Sequence, residues 1–247
     1  MTNNFIIVSG YHNNPNSGME WFFPTWLQNT LLHAPHFRRL FIVATSTPPE
    51  QYRFAPSIDW IQLAGNLGNF QHILSGEKKF FMPGCPAVWM IGMWLAYANE
   101  CDFIYKEQDT LAFGPWVERL YAEIGDKKAI FGTAKMHGIS TVLFLVKHEF
   151  IPQFVYEYLE AGPETVSSRI AEAKVRIIEA KWPQRFARHT FGYDGDRPFN
   201  PDDQVFMVQK LTPDELQLLA DRKLVWLPGP IPKGVPLFSN HNATLVP

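Results

Sequence analysis

Short runs of apolar residues alternate along this chain with longer segments in which apolar residues recur every three or four positions. The short runs are typical of strands that are buried on both faces of a parallel sheet. The segments with helical spacing predict amphipathic helices. Strands are predicted over residues 5–8, 40–44, 60–63, 102–105, 129–132 and 141–146, and helices over 19–32, 86–98, 165–182 and in the segments that follow Pro115, Asp203 and Thr212.

A strand, a helix and a second strand in succession form a unit whose two strands should lie parallel in one sheet. The first such unit covers residues 5–44, with Pro24 expected in the first turn of its helix. This order predicts an α/β fold with a mostly parallel central sheet flanked by helices. A chain of 247 residues has room for one large α/β domain or two small ones, and one domain over 1–247 is our prediction.

The segment from Cys101 to Asp109 leads from a predicted strand into two carboxylates. In an extended chain, Glu107 and Asp109 project from one side and Gln108 from the other. Ligands of open α/β sheets bind at the carboxyl ends of strands, so the pair is a candidate site. Two close carboxylates repel and need a cation, a shared proton or solvent, and oxygen ligands favour Mg²⁺ or Mn²⁺ over zinc. The alternative is two ordinary solvated acids where a strand meets a loop.

Two further turns follow predicted strands. Ser9 and Gly10 end the first strand, and Tyr11 begins a polar loop at a place where α/β proteins commonly hold a nucleotide. Asn66 and Gly68 belong to a turn after the third strand, whose two glycines permit close approach of the backbone to an anion. We expect nucleotide contacts at both turns, and plain surface connections are the alternative.

Charge and cysteine content argue against several classes of protein. A net charge of −2 gives no electrostatic basis for nucleic acid as a partner. Cys85 and Cys101 are too few for a disulfide framework and have no neighbouring cluster of zinc-finger spacing, so both are expected to be reduced and buried. The apolar stretches are too short for a signal peptide or a transmembrane segment. We expect a cytoplasmic protein, with peripheral membrane contact left open.

The order of these motifs resembles that of the nucleotide-sugar glycosyltransferases of the GT-A fold. The resemblance covers most of the chain, residues 5–206, and implies a single GT-A-like domain with a Rossmann-like sheet. The matching segments are residues 5–10, the glycine turn 65–68, the helix end 96–100 and the strand 102–105 that enters Glu107-Gln108-Asp109.

In that family the strand ends in an Asp-x-Asp motif whose carboxylates bind a divalent cation that bridges the donor diphosphate. The resemblance therefore implies Mn²⁺ or Mg²⁺ at Glu107 and Asp109, with Gln108 among the nucleotide contacts, although Glu107 departs from the motif by its longer arm. It also implies that Asp203 is the base of an inverting reaction and that His241 is a third metal ligand. The implied substrates are a nucleotide-sugar donor and a glycan or other hydroxyl acceptor.

Two rival functions stay open at this point. A nucleotidyltransferase also combines carboxylates, a divalent cation and a parallel sheet, but it typically has a glycine-rich basic signature after its first strand. Residues 9–18 contain no Lys or Arg. The second rival is a catalytically silent protein of the same fold that binds a nucleotide or a sugar. Consumption of a nucleotide-sugar would separate an enzyme from such a binding protein.

Overall fold

The computed structural model describes residues 4–13, 18–64, 84–133, 138–161, 170–191, 200–209 and 211–232. Nine strands and six α-helices lie within these ranges. The strands are β1 (Phe5–Tyr11), β2 (Arg39–Ala44), β3 (Asp59–Gln62), β4 (Asp102–Lys106), β5 (Thr110–Phe113), β6 (Ala129–Gly132), β7 (Ser140–Val146), β8 (Phe186–His189) and β9 (Phe206–Gln209). The helices are α1 (Met19–His33), α2 (Gly84–Ala98), α3 (Trp116–Ile124), α4 (Ile151–Glu160), α5 (Ile170–Lys181) and α6 (Pro213–Asp221).

Seven of the strands form one sheet in the order β3-β2-β1-β4-β7-β6-β8. Within this described sheet, β7 alone runs against its neighbours. The predicted parallel pairing of β1 with β2 is confirmed, with Val8 opposite Phe41. The predicted α/β class, with a mostly parallel sheet flanked by helices, is also confirmed. Because parallel strands end at the same edge, the residues that follow β1, β2 and β4 lie near one another.

The sheet separates two hydrophobic layers. Helices α1, α3 and α6 pack on one face, and α2, α4 and α5 pack on the other. The side chains of β4 alternate between the two layers, since Phe103 and Tyr105 belong to the second layer and Ile104 to the first. Lys106 continues the alternation and points toward α1. Cys101, at the entry to β4, is a buried free thiol, as predicted.

Helix α2 is apolar around its whole circumference, so its sequence does not determine which side meets the sheet. Gly92 marks that side, because a methyl group there would lie 2.5 Å from a ring carbon of Phe103. Trp89 and Met93 are buried beside it, whereas Trp94 is 70% exposed. None of the described helices, α2 included, is long and apolar enough to cross a lipid bilayer.

Two local predictions are wrong, and the extended chain that would place Glu107 and Asp109 on one side of β4 does not form. Strand β4 ends at Lys106, and residues 107–109 form a turn that leads directly into β5. The segment predicted to start a helix after Asp203 forms β9 instead, because it pairs antiparallel with β5 and the rings of Phe113 and Phe206 stack at 4.4 Å between centroids. This tertiary pairing satisfies backbone groups that local preference would have placed in a helix. Pro24 lies inside α1 rather than in its first turn.

Candidate active site

The acid pair lies in the turn that joins β4 to β5. The backbone N–H of Glu107 donates to the carbonyl of Val142 in β7 at 2.8 Å. The indole Nε1 of Trp26 in α1 donates to the carbonyl of Glu107 at 2.9 Å, and the N–H of Thr110 donates to the same carbonyl at 3.1 Å. The sheet and α1 therefore hold the backbone of the turn in one position.

Within this turn the carboxylates of Glu107 and Asp109 both accept a hydrogen bond from the same atom. The side-chain nitrogen Nε2 of Gln209 donates to Oε2 of Glu107 at 2.8 Å and to Oδ1 of Asp109 at 3.0 Å. Asp109 and Gln209 are only 6% and 7% exposed. The sequence predicts that the acids converge from an extended strand, and the structure brings them together through a turn instead. Carboxylate oxygens are the ligands that hard divalent cations prefer, so this donor set fits Mn²⁺ or Mg²⁺.

A polar cluster lies where β1 and β2 end, beside residues 107–109, which we call the acid turn. The backbone N–H of His12 donates to Oε1 of Gln108 at 2.7 Å and so ties the end of β1 to the turn. Nδ1 of His12 lies 2.9 Å from Oγ1 of Thr45, and the N–H of Asn13 donates to Oγ of Ser46 at 3.0 Å. His12, Thr45 and Ser46 are not among the individual contacts predicted from the sequence, although His12 lies in the polar loop predicted after β1. Their position directly after parallel strands is the signal that could have found them.

A fully buried lysine lies next to the acid turn. Nζ of Lys106 donates to Oδ1 of Asn29 at 3.1 Å and to Oγ1 of Thr30 at 2.7 Å, and it lies 4.7 Å from the centre of the Trp26 ring. Oδ1 of Asn29 also accepts from the backbone N–H of Ala112 at 3.0 Å, so α1 contacts the chain on both sides of the turn. Burial lowers the pKa of Lys106 well below that of a free lysine.

The stability of the wild-type protein relative to Lys106→Met should rise from neutral to alkaline pH. Because the folded pKa of Lys106 is lowered, the unfolded chain binds more protons between the two pKa values, and the free energy of unfolding increases with pH. Burial of the charged lysine lowers the free energy of unfolding by its full amount below the folded pKa. This loss disappears as the pH rises through the unfolded pKa, about 10.4. Urea denaturation of both proteins at neutral pH and about pH 9.5 measures this difference.

Lys127→Met is the control for this experiment, because Lys127 lies at the surface beside Asp126. Its stability relative to the wild type should not change over the same pH range. If the free energies of unfolding of the wild type and Lys106→Met had the same pH dependence, burial of the Lys106 charge would not destabilise the protein.

No protein-family model and no curated protein sequence matches this chain, whereas solved structures do. The glycosyltransferase GlyE of Streptococcus pneumoniae TIGR4 is 12% identical with a TM-score of 0.47, and the match covers 76% of this chain and 45% of GlyE. This chain therefore spans less than half the length of GlyE. The galactosyltransferase LgtC, solved with donor and acceptor sugar analogues, is 10% identical with a TM-score of 0.47 over 76% of this chain and 75% of LgtC. A proposed glucose-1-phosphate thymidylyltransferase of Bacillus anthracis, in complex with sucrose, is 9% identical with a TM-score of 0.49 over 89% and 94% of the two chains.

Glycosyltransferases are among the solved structures to which this fold is similar. The motifs described in the sequence also resemble those of glycosyltransferases. At these identities and with TM-scores below 0.5, the similarity carries no argument about chemistry.

The structure corrects the predicted turn at the end of β1. The strand continues through Tyr11, so Ser9 and Gly10 belong to the sheet rather than to a turn. Ser9 is completely buried, and the ring of Tyr11 packs edge-on against Phe23 with 5.2 Å between centroids. Burial also raises the pKa of the Tyr11 hydroxyl. The chain leaves the sheet at His12, which becomes a further candidate contact, and the roles of Ser9, Gly10 and Tyr11 as nucleotide contacts stay predictions.

Asp203 lies apart from the acid pair. Phe206 and Gln209 are the two ends of β9, which lie about 10 Å apart at the usual rise of a strand. The acids contact the Gln209 end, whereas Asp203 precedes the Phe206 end. Its exposed carboxylate accepts a hydrogen bond from Nδ2 of Asn200 at 3.1 Å. The structure therefore does not bring Asp203 together with the acids.

Three predicted site residues, Asn66, Gly68 and His241, lie outside the described residues, and their roles stay predictions. Within the described ranges, no group of three or more His, Cys, Asp or Glu side chains is placed to hold a metal ion. The donor set that the described chain offers at the acid turn consists of Glu107 and Asp109 together with Gln209.

Proposed function

We propose that this chain transfers a sugar from a nucleotide-diphosphate donor to an acceptor hydroxyl, with Mn²⁺ or Mg²⁺ held by Glu107 and Asp109. One observation carries the proposal. The two carboxylates converge on one point at the edge of the sheet where β1, β2 and β4 end. The motifs that resemble those of GT-A glycosyltransferases support the same assignment.

The acid turn suits the chemistry of the leaving group. A nucleoside diphosphate carries negative charge that must be neutralised as its bond to the sugar breaks, and a divalent cation supplies this neutralisation as a Lewis acid. Glu107 and Asp109 would hold that cation. The hydrogen bonds that Trp26 and Thr110 donate to the carbonyl of Glu107 keep the carboxylates in place before the donor binds.

The polar cluster beside the turn suits the nucleoside part of the donor. The hydroxyl groups of Thr45 and Ser46 can donate and accept hydrogen bonds, as recognition of a ribose or a base requires. His12 connects this cluster to Gln108 in the acid turn. The nucleoside would therefore bind beside the ends of β1 and β2 while its diphosphate reaches Glu107 and Asp109.

A panel of nucleotide-sugars, measured with and without Mn²⁺, tests the proposal. A ligand that binds only the folded protein raises the melting temperature. We expect at least one nucleotide-sugar to do so only with Mn²⁺, and to be slowly hydrolysed to its nucleoside diphosphate. Release of pyrophosphate from a nucleoside triphosphate and a sugar phosphate would instead indicate a nucleotidyltransferase. Tight binding without any turnover would indicate a catalytically silent binding protein.

The inverting mechanism with Asp203 as base stays a prediction, and Asp203→Asn tests it. On this assignment the variant loses about 10²–10⁴-fold in kcat, because a general base contributes about that much. The neighbouring Asp202→Asn is the matched control, since Asp202 is also exposed and its Oδ1 accepts from Nη1 of Arg222 at 2.8 Å. Wild-type rates for Asp203→Asn would remove it as the base. The anomeric configuration of the product, read by NMR, shows whether the reaction inverts.

A further inference from the structure

Gln209 occupies the point at which the two carboxylates meet. It is the last residue of β9, opposite Thr110 in the β5–β9 ribbon, and only 7% of it is exposed. Its Nε2 lies 2.8 Å from Oε2 of Glu107 and 3.0 Å from Oδ1 of Asp109. A cation shared by these carboxylates needs the same position. The amide must therefore change its orientation or leave when a cation binds.

The amide is well suited to hold the site when no cation is bound. Two nearby carboxylates repel each other, and burial strengthens that repulsion. The NH₂ group of a glutamine has two hydrogens and can donate to both acids at once. Gln209 therefore keeps the carboxylates of Glu107 and Asp109 close together.

The same side chain carries an oxygen that a divalent cation can use. The terminal torsion of glutamine has a broad, roughly two-fold preference, so a half-turn exchanges Nε2 and Oε1 with little movement of the rest of the side chain. Amide oxygens are ordinary ligands of hard divalent cations. After a half-turn, Oε1 of Gln209 would join the oxygens of Glu107 and Asp109.

We infer that Gln209 is a ligand of the divalent cation at the Glu107–Asp109 turn, donating through nitrogen to the carboxylates without the cation and binding the cation through Oε1. The inference rests on the proposed function, which supplies the cation. No pattern in the sequence indicates this ligand, because Gln209 lies one hundred residues beyond Asp109 in the chain and meets it only through β5–β9 pairing.

Direct titration with Mn²⁺, followed by the electron paramagnetic resonance of the free ion, tests the inference without any substrate. We expect Gln209→Met to bind Mn²⁺ about tenfold more weakly than the wild type or worse, since even residues outside the ligand shell affect affinity this much. Gln217→Met is the matched control. Gln217 also donates to a carboxylate, Oδ1 of Asp221 at 2.8 Å, but lies on α6. This variant should bind Mn²⁺ as the wild type does.

The outcomes separate this inference from the proposed function. If the wild type and Asp109→Asn bind Mn²⁺ equally poorly, the cation site itself is wrong. If the wild type binds Mn²⁺ and Gln209→Met binds it as tightly, Gln209 is not a ligand and the inference is overturned. Gln209→Glu keeps an oxygen at the same position and covers the case in which the methionine variant fails to fold. It should bind Mn²⁺ at least as tightly as the wild type, and weaker binding would overturn the inference.

Discussion

Asp109→Asn should abolish sugar transfer while the protein stays folded. Asparagine matches the shape of Asp109 but lacks the charge with which the carboxylate would hold a divalent cation. Because a cation acting as a Lewis acid contributes several kcal/mol, and about 1.4 kcal/mol corresponds to a tenfold change in rate, we expect kcat/KM to fall by about 10³-fold or more. The measurement is Mn²⁺-dependent release of nucleoside diphosphate from the donor that the panel identifies.

The fold should tolerate this change because the side-chain amide of asparagine can still hydrogen-bond to Gln209, which contacts Oδ1 of Asp109 at 3.0 Å. Asp102→Asn is the control. Asp102 begins the same strand, and its carboxylate accepts from the N–H of His148 at 2.8 Å and from the hydroxyl of Tyr121 at 2.7 Å. This variant should lower the melting temperature but retain kcat. A fully active Asp109→Asn protein would remove the cation role from Asp109.

Gly114→Ala should destabilise the protein more than a change of one methyl group normally does. Gly114 directly follows β5 and has a φ of +70°, and a methyl group there would lie 1.9 Å from the carbonyl oxygen of Gln204. The left-handed backbone costs about 1–2 kcal/mol for a residue with a side chain, and the steric overlap adds about 1–3 kcal/mol. We expect the melting temperature to fall by about 10 °C. Thermal unfolding followed by circular dichroism measures the loss.

Gly138→Ala separates the cost of the left-handed backbone from the cost of the steric overlap. Gly138 also has a φ of +70°, but no atom of the described chain lies within 4 Å of an added methyl group. The melting temperature of Gly138→Ala should fall by only a few degrees, because this variant has the backbone cost without the steric overlap. Equal losses in the two variants would show that contact with Gln204 does not constrain β5 and β9. Since β9 carries Gln209, Gly114→Ala should also weaken Mn²⁺ binding.

Several elements could be predicted because their cause is local in the sequence. The bounds of β6 agree with the predicted 129–132. The capping box of α6 forms as the sequence of Thr212 and Glu215 suggests, with the hydroxyl of Thr212 accepting from the N–H of Glu215. The alternation of Phe103, Ile104 and Tyr105 is a direct result of strand geometry.

Other features could not be predicted because their cause lies in tertiary contacts. Trp94 is exposed because Gly92, rather than the average hydrophobicity of α2, sets the side that approaches the sheet. The local sequence of β9 predicts the start of a helix, but these residues form a strand because they pair with β5. Neither β8 nor α4 was predicted from the sequence. In the structure β8 pairs with β6, which lies far from it in the chain.

The sequence by itself determined the α/β class, the parallel start of the sheet and the presence of two acids where β4 ends, because apolar runs and their spacing are set by neighbours in the chain. Only the tertiary structure decided how the acids meet. They meet in a turn held by Trp26 and Val142, around the amide of Gln209, which pairing between β5 and β9 delivers. The same pairing places Phe206, the end of β9 that Asp203 precedes, at the other end of the ribbon, since register fixes which residues lie opposite one another.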